Sequence, residues 1–185
     1  TKRERAQLCT LALAGAALRG GGRAGLLTRR EAGRVVGGAQ VHSRLGEALL
    51  HAATGEPGLT PRNALSPQTD LVLISDFLWE EDRIEAVLKH CASRPVRVHL
   101  LCILDPGERS LNQTGRIRFS GLEGGVLTLP AVESLNSAYE HAVSAHLDAL
   151  KASAANLHAD CIVHETSQDP LPALLALHLA MGSGR

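Results

Sequence analysis

Near the start of the chain, Leu8, Leu11, Ala14 and Leu18 recur at steps of three and four, the spacing of one helical face. That spacing predicts a helix over residues 2–18, stopped by Gly20, Gly21 and Gly22. Two short apolar runs, in residues 23–28 and 33–36, flank the charged Arg29, Arg30 and Glu31 and predict a small hairpin. Val41, Leu45, Ala48, Leu49 and Ala52 restore helical spacing over residues 41–53, and residues 55–68, with Pro57, Pro61 and Pro67, read as a loop. Residues 70–75 then form a near-continuous apolar run, which predicts a strand covered on both faces in the centre of a parallel sheet.

Glu80, Glu81 and Asp82 open a helix whose apolar stripe is Ile84, Val87, Leu88 and Cys91, with Lys89 and His90 in its last turn. Acids first and bases last complement the helix dipole. Residues 96–104 predict a second buried strand, ended by Asp105 and Pro106. Residues 115–119 and 125–129 predict a further two-stranded unit. A long helix beginning at Pro130 is predicted from Val132, Leu135, Tyr139, Val143, Leu147 and Leu150, then a strand over 160–164 and a final helix over 171–181. Strands alternating with helices predict an α/β fold, an open sheet with helices on both faces.

Composition narrows the function classes. The chain has 185 residues, with 19 basic and 19 acidic side chains, so it lacks the positive field that nucleic-acid binding needs. Its longest apolar stretch, residues 8–18, is about half of the ~20 residues a bilayer span needs, so no membrane span is expected. The first residues carry charges of both signs, unlike a secretory signal, and the four cysteines include no Cys-x-x-Cys pair. A cytoplasmic location follows as the expectation. The first residue is Thr and the single Met is Met181, which reads as a chain lacking its natural beginning.

Ligands of open parallel sheets sit beyond the carboxyl ends of the strands. Asp76, Asp105 and the run His164, Glu165, Thr166 fall there. Asp76 reads as a crevice carboxylate, or else it or a neighbour caps the helix starting near Glu80. Asp105 before Pro106 reads as a turn former. Phe77, Leu78 and Trp79 follow Asp76 at once and either pin the loop or face a partner. In a strand, Cys161 points away from His158 and His164, so the three cannot close a metal site.

Lys2 to Ala6, the glycine-rich stretch from Leu18 to Leu27, Leu71 to Leu78, Leu104 to Glu108, Gly115 to Phe119, Leu122 to Gly124, and the tail His164 to Thr166 with Pro170 to Leu177 together resemble the bacterial domain of unknown function 58 family. The resemblance implies a Rossmann-like, von Willebrand factor A-type sheet, mostly parallel, with helices on both faces and short antiparallel hairpins. It implies one domain over residues 1–185, N-terminally incomplete because its first central strand would precede Lys2. It further implies a non-enzymatic protein-binding or assembly module working with a MoxR-type AAA+ ATPase, and it leaves room for a homo-oligomer.

Such domains carry a metal-ion-dependent adhesion site. By resemblance Asp76 takes its last acidic position and Ser43 its Thr position, although a lone Ser before such a helix is more often an N-cap. The Asp-x-Ser-x-Ser loop of that site would lie upstream, so Mg²⁺ is implied for the intact domain and no cofactor is expected for this chain as it stands. A missing central strand would leave neighbouring backbone unpaired, to be covered by upstream residues or by a strand from another chain. The partner surface is expected at Asp76, Phe77 and Trp79. The alternative is a hydrolase or transferase with Asp76 and Asp105 as acid and base and His164 assisting.

Overall fold

The computed structural model describes residues 1–27, 35–36, 41–51, 67–111, 113–120, 126–129 and 131–182. Helix α1 (Lys2–Arg19) starts at Thr1, whose side chain accepts a hydrogen bond from the Glu4 backbone in a reciprocal capping box. It stops at the glycines for a steric reason. Gly21 has φ 77°, and a Cβ at Gly22 would lie 2.9 Å from the Ala17 carbonyl oxygen. Short strands β1 (Ala24–Gly25) and β2 (Val35–Val36) then pair antiparallel, as the pattern predicts. Helix α2 (Val41–His51) follows, and Ala53 and the proline-rich segment 55–66 lie outside the described residues.

The centre is a parallel sheet of β3 (Thr69–Ser75), β4 (Val96–Leu104) and β7 (Asp160–Glu165), in the order β3-β4-β7. Helix α3 (Glu81–Ala92) links β3 to β4, and α4 (Asn136–Asn156) precedes β7. Helix α5 (Leu171–Gly182) comes last, while β5 (Ile117–Ser120) and β6 (Val126–Leu129) form an antiparallel pair in the β4–α4 connection. The fold is α/β and Rossmann-like. Among the described strands the middle position belongs to β4, whereas residues 70–75 pair on one side only, with β4. Leu71 and Leu73 pack on one face of β3 and Val72 and Ile74 on the other, because burial by helices does not require a strand on each side.

Alternation along β4 builds the two halves of the core. Val98, Leu100, Cys102 and Leu104 pack with Leu71, Leu73 and residues of α3 and α4, including Leu88, Leu147 and Leu150. Leu101 and Ile103 point the other way, onto Cys9 and Leu13 of α1 and Ala173 and Leu177 of α5. Helices therefore cover both faces, and each fully buried Leu contributes about 1.5–3 kcal/mol. Helix α2 packs outside this layer, with Leu45 against Ala14.

The long helix starts later than its apolar stripe suggests. Pro130 lies outside the described residues, Val132 to Ser134 form a 3₁₀ turn, and α4 begins at Asn136. The turn buries Val132 completely but leaves Leu135 42% exposed, so the stripe is helical only from Tyr139 onward. At the amino ends of the strands, buried His99 lies between Asp70 Oδ1 (3.0 Å) and Asp160 Oδ2 (2.8 Å), and Arg97 reaches Asp70 Oδ2 at 2.8 Å. Carboxylate oxygens only accept, so a ring nitrogen that carries a proton is the donor in these contacts. One residue from each strand thus clasps the sheet.

Candidate functional site

The carboxyl ends of β3, β4 and β7 gather Asp76, Asp105 and the Glu165–Thr166 pair, and the first turn of α1 reaches the same edge. There the Lys2 ammonium donates to Asp76 Oδ2 at 2.7 Å and makes a second, short ion pair with Glu108. Burial pulls the Lys2 pKa down, but the hydrogen bonds to Asp76 and Glu108 outweigh it and hold it above its usual value. Glu108 is itself anchored: its Oε2 accepts from the Asp105 backbone at 2.9 Å and its carbonyl accepts from the Tyr139 hydroxyl at 3.0 Å.

Asp105 opens the 3₁₀ turn Pro106–Glu108 through a capping box, the turn-forming role its place before Pro106 predicts. Its Oδ1 accepts from the Gly107 backbone at 3.1 Å and its Oδ2 from the Thr166 hydroxyl at 3.1 Å. Asp76, Lys2, Glu108, Asp105 and Thr166 thus form one connected chain across all three strand ends. Asp76 and Asp105 are separate links in it, each already bonded within the fold. The pairing of acid and base that hydrolysis would use is not assembled by these contacts.

Asp76 does not cap α3, since the N-cap position belongs to Glu80, which makes no side-chain cap bond. Its Oδ1 instead accepts from the Leu78 backbone at 3.4 Å, while the Ser75 hydroxyl accepts from the Phe77 backbone at 3.2 Å. These bonds hold Phe77 at φ 51°, a left-handed conformation that costs an ordinary residue free energy. From α4, His146 Nε2 donates to the Phe77 carbonyl at 2.8 Å, which assigns the proton to that nitrogen. Phe77 is buried and pins the loop, whereas Trp79 is half-buried beside it at 5.8 Å between ring centroids, and Leu78 is exposed.

His164 is buried on the α1 face. Arg5 Nη1 lies 3.0 Å from its Nε2, and Arg5 also donates to the carbonyls of Gln168 (2.7 Å) and Thr166 (2.9 Å). A guanidinium only donates, so Nε2 accepts and the ring is neutral. Burial first, then the Arg5 charge, push the His164 pKa below its usual value. The Cys102 thiol is pushed up to about 12, by burial first and then by Cys161 and the Asp76 and Glu108 charges, which leaves it protonated and inert.

Ser43 is not part of this edge. It lies in the first turn of α2, exposed, inside the helix rather than capping it. Helix α2 runs antiparallel to α1: Leu45 meets Ala14, whereas Gln7 and Arg3 donate to the carbonyls of Leu49 and Leu50. Lys2 and Ala14 are twelve residues apart on α1, a rise of roughly 18 Å, so Ser43 sits toward the opposite end from Asp76. The residues present do not fit an adhesion-site Mg²⁺. The Lys2 ammonium already occupies the cation position beside Asp76, and no group of three or more His, Cys, Asp or Glu converges among the described residues.

A family model described as protein of unknown function DUF58 matches residues 1–149. The chain belongs to the DUF58 family. No curated protein and no solved structure matches it. In this DUF58 chain the matched residues carry Lys2, Asp76, Phe77, Trp79, Asp105 and Glu108, whereas β7 and α5, with His164 and Thr166, lie beyond them. Lys2, Arg5 and Glu108 are the residues sequence reasoning missed, because Lys2 meets Asp76 and Glu108 across 74 and 106 positions, Arg5 meets His164 across 159, and no local spacing announces such pairs. Among the described residues no helix is long and apolar enough to cross a membrane.

Proposed function

We propose that this DUF58 chain is a non-enzymatic protein-binding module whose partner surface is the loop after β3, and that its partner is a MoxR-type AAA+ ATPase. The observation that supports this reading is the division of labour at the strand ends. The carboxylates of Asp76, Asp105 and Glu108 are spent on bonds within the fold, while exposed Leu78 and half-buried Trp79 sit on a loop held by Lys2 and His146. A loop already locked in one conformation loses little entropy on docking, so its small apolar surface is used efficiently. Asp76 then acts as a positioning residue: its Lys2 pair and its bond to the Leu78 backbone set the angle at which Leu78 and Trp79 are presented.

The test is titration of a purified MoxR-type ATPase from the same genome into the protein and into its Trp79→Ala and Asp76→Ala variants. Loss of Trp79 should weaken binding by about 10-fold or more, as for a buried aromatic anchor. Asp76→Ala should weaken it less, with the circular dichroism spectrum of the fold retained. Binding that is indifferent to both substitutions overturns the proposal, and so does hydrolytic turnover that disappears with Asp76 or Asp105.

A further inference from the structure

Between the β3–α3 loop and the first half of α4 runs a surface groove of about 580 Å³. Its apolar wall is Leu78 and Trp79 on one side and Tyr139, Ala142 and Val143 on the other. Trp79 and Tyr139 are the only Trp and the only Tyr of the whole chain, so its two large amphipathic rings line one groove. The rim is acidic. Glu80, Glu81 and Asp82 stand exposed along it, and none of them enters an ion pair among the described residues. Beside it the Arg83 guanidinium lies 5.1 Å from the centroid of the Trp79 ring, a cation–π contact of the chain with itself.

We infer that this groove docks a basic, leucine-bearing segment of the partner protein, with Arg or Lys against the acidic rim and the apolar side chain against Trp79, Tyr139 and Val143. The inference deepens the interaction-module reading above and rests on it for the claim that a protein docks here. Charge complementarity selects the occupant. Among the described residues the rim sets three carboxylates against the Arg83 guanidinium, a negative balance that draws a cationic segment and repels an acidic one. The Trp79 face is already in contact with the Arg83 guanidinium, so an incoming arginine competes with a contact the surface itself makes.

The experiment uses the chain itself with a blocked peptide of about ten residues in which arginine and leucine are spaced by serine, and a counterpart with glutamate for arginine. Trp79 is the sole tryptophan, so its emission reports the groove alone. The arginine peptide should shift that emission saturably, and raising salt from about 50 to 300 mM should weaken it. Combined Glu80→Gln, Glu81→Gln and Asp82→Asn should weaken it by about 10-fold, the equivalent of about 1.4 kcal/mol. Should that triple variant fail to fold, Glu81→Gln alone should weaken it by about threefold.

Arg83→Gln should tighten the arginine peptide by about two- to threefold, because it removes the competing cation, an effect that mere loss of packing would not give. Equal binding of the glutamate peptide, or indifference of the arginine peptide to the acidic substitutions, overturns the inference. If the arginine peptide fails while ATPase binding still depends on Trp79, the basic-segment inference falls and the module reading stands. If it binds as expected while ATPase binding ignores Trp79, the groove preference stands and the choice of partner falls.

Discussion

Replacing Lys2 with Met removes one positive charge from between two carboxylates without removing the aliphatic stem that lies along the edge. Lys2 is 31% exposed, Asp76 31% and Glu108 26%, so the pairs are neither fully solvated nor buried. Two charge-assisted contacts in that setting, discounted for solvent, are together worth about 1–2 kcal/mol. At roughly 2–4 °C per kcal/mol for a chain of this size, Lys2→Met should lower Tm by about 2–8 °C. The two carboxylates then repel each other and Asp76 loses its anchor, so the Phe77–Trp79 loop should loosen with it.

The assay is thermal unfolding followed by far-ultraviolet circular dichroism, paired with the quenching of Trp79 emission by iodide. At about 1 M salt the difference between the two proteins should shrink, because partly exposed pairs are screened. The Lys2 pKa is raised on folding, so the stabilisation is complete below the unfolded value near 10.5 and is lost as pH rises past it. The Lys2→Met protein should therefore lack that alkaline decline. A Tm change under about 1 °C, or a loss that high salt leaves intact, would refute the reasoning and reduce Lys2 to a surface residue.

His99→Leu leaves the Asp70 and Asp160 carboxylates facing an apolar side chain. Because both carboxylates keep some solvent, the expected cost is about 1–3 kcal/mol, read from the urea midpoint, and an unchanged midpoint would contradict the clasp. The His164 pKa is lowered on folding, by burial and then by Arg5, so its contribution is present above about pH 6.5 and is lost as pH falls through the folded value. Tm should therefore decline on acidification, and His164→Asn should flatten that decline; equal slopes would count against the assignment. Iodoacetamide at about pH 8 should leave Cys102 unmodified in the native state, while the less buried Cys161 reacts first, with mass spectrometry of the digested protein as the readout. Early alkylation of Cys102 would mean that its strand opens locally.

Local physics accounts for what was legible in the residue order. Leu8, Leu11, Ala14 and Leu18 announce α1, the acids and bases at the two ends of residues 81–90 announce α3, and the run Leu71 to Ile74 announces a buried strand, because each signal lies within a few residues of its cause. Asp105 before Pro106 is legible for the same reason, as its carboxylate closes a turn on its own backbone. Asp76, Phe77 and Trp79 were found at the carboxyl edge because the end of a buried strand marks that edge in any open sheet.

Where the signal had to travel further, the residue order was silent or misleading. The resemblance sets Ser43 beside Asp76, yet it lies toward the far end of α1 in space, since the antiparallel packing of α2 on α1 carries it away. The start of α4 moved because burying Val132 in a 3₁₀ turn outweighs continuing the apolar stripe through Leu135. Whether Asp76 meets a metal or an ammonium, which residues clasp His99, and which helix supplies the second wall of the Trp79 groove all depend on strand register and on where α1 and α4 cross the sheet. Those placements minimise exposed apolar area over the whole chain at once, and pairs 60 to 160 residues apart come together only as its consequence.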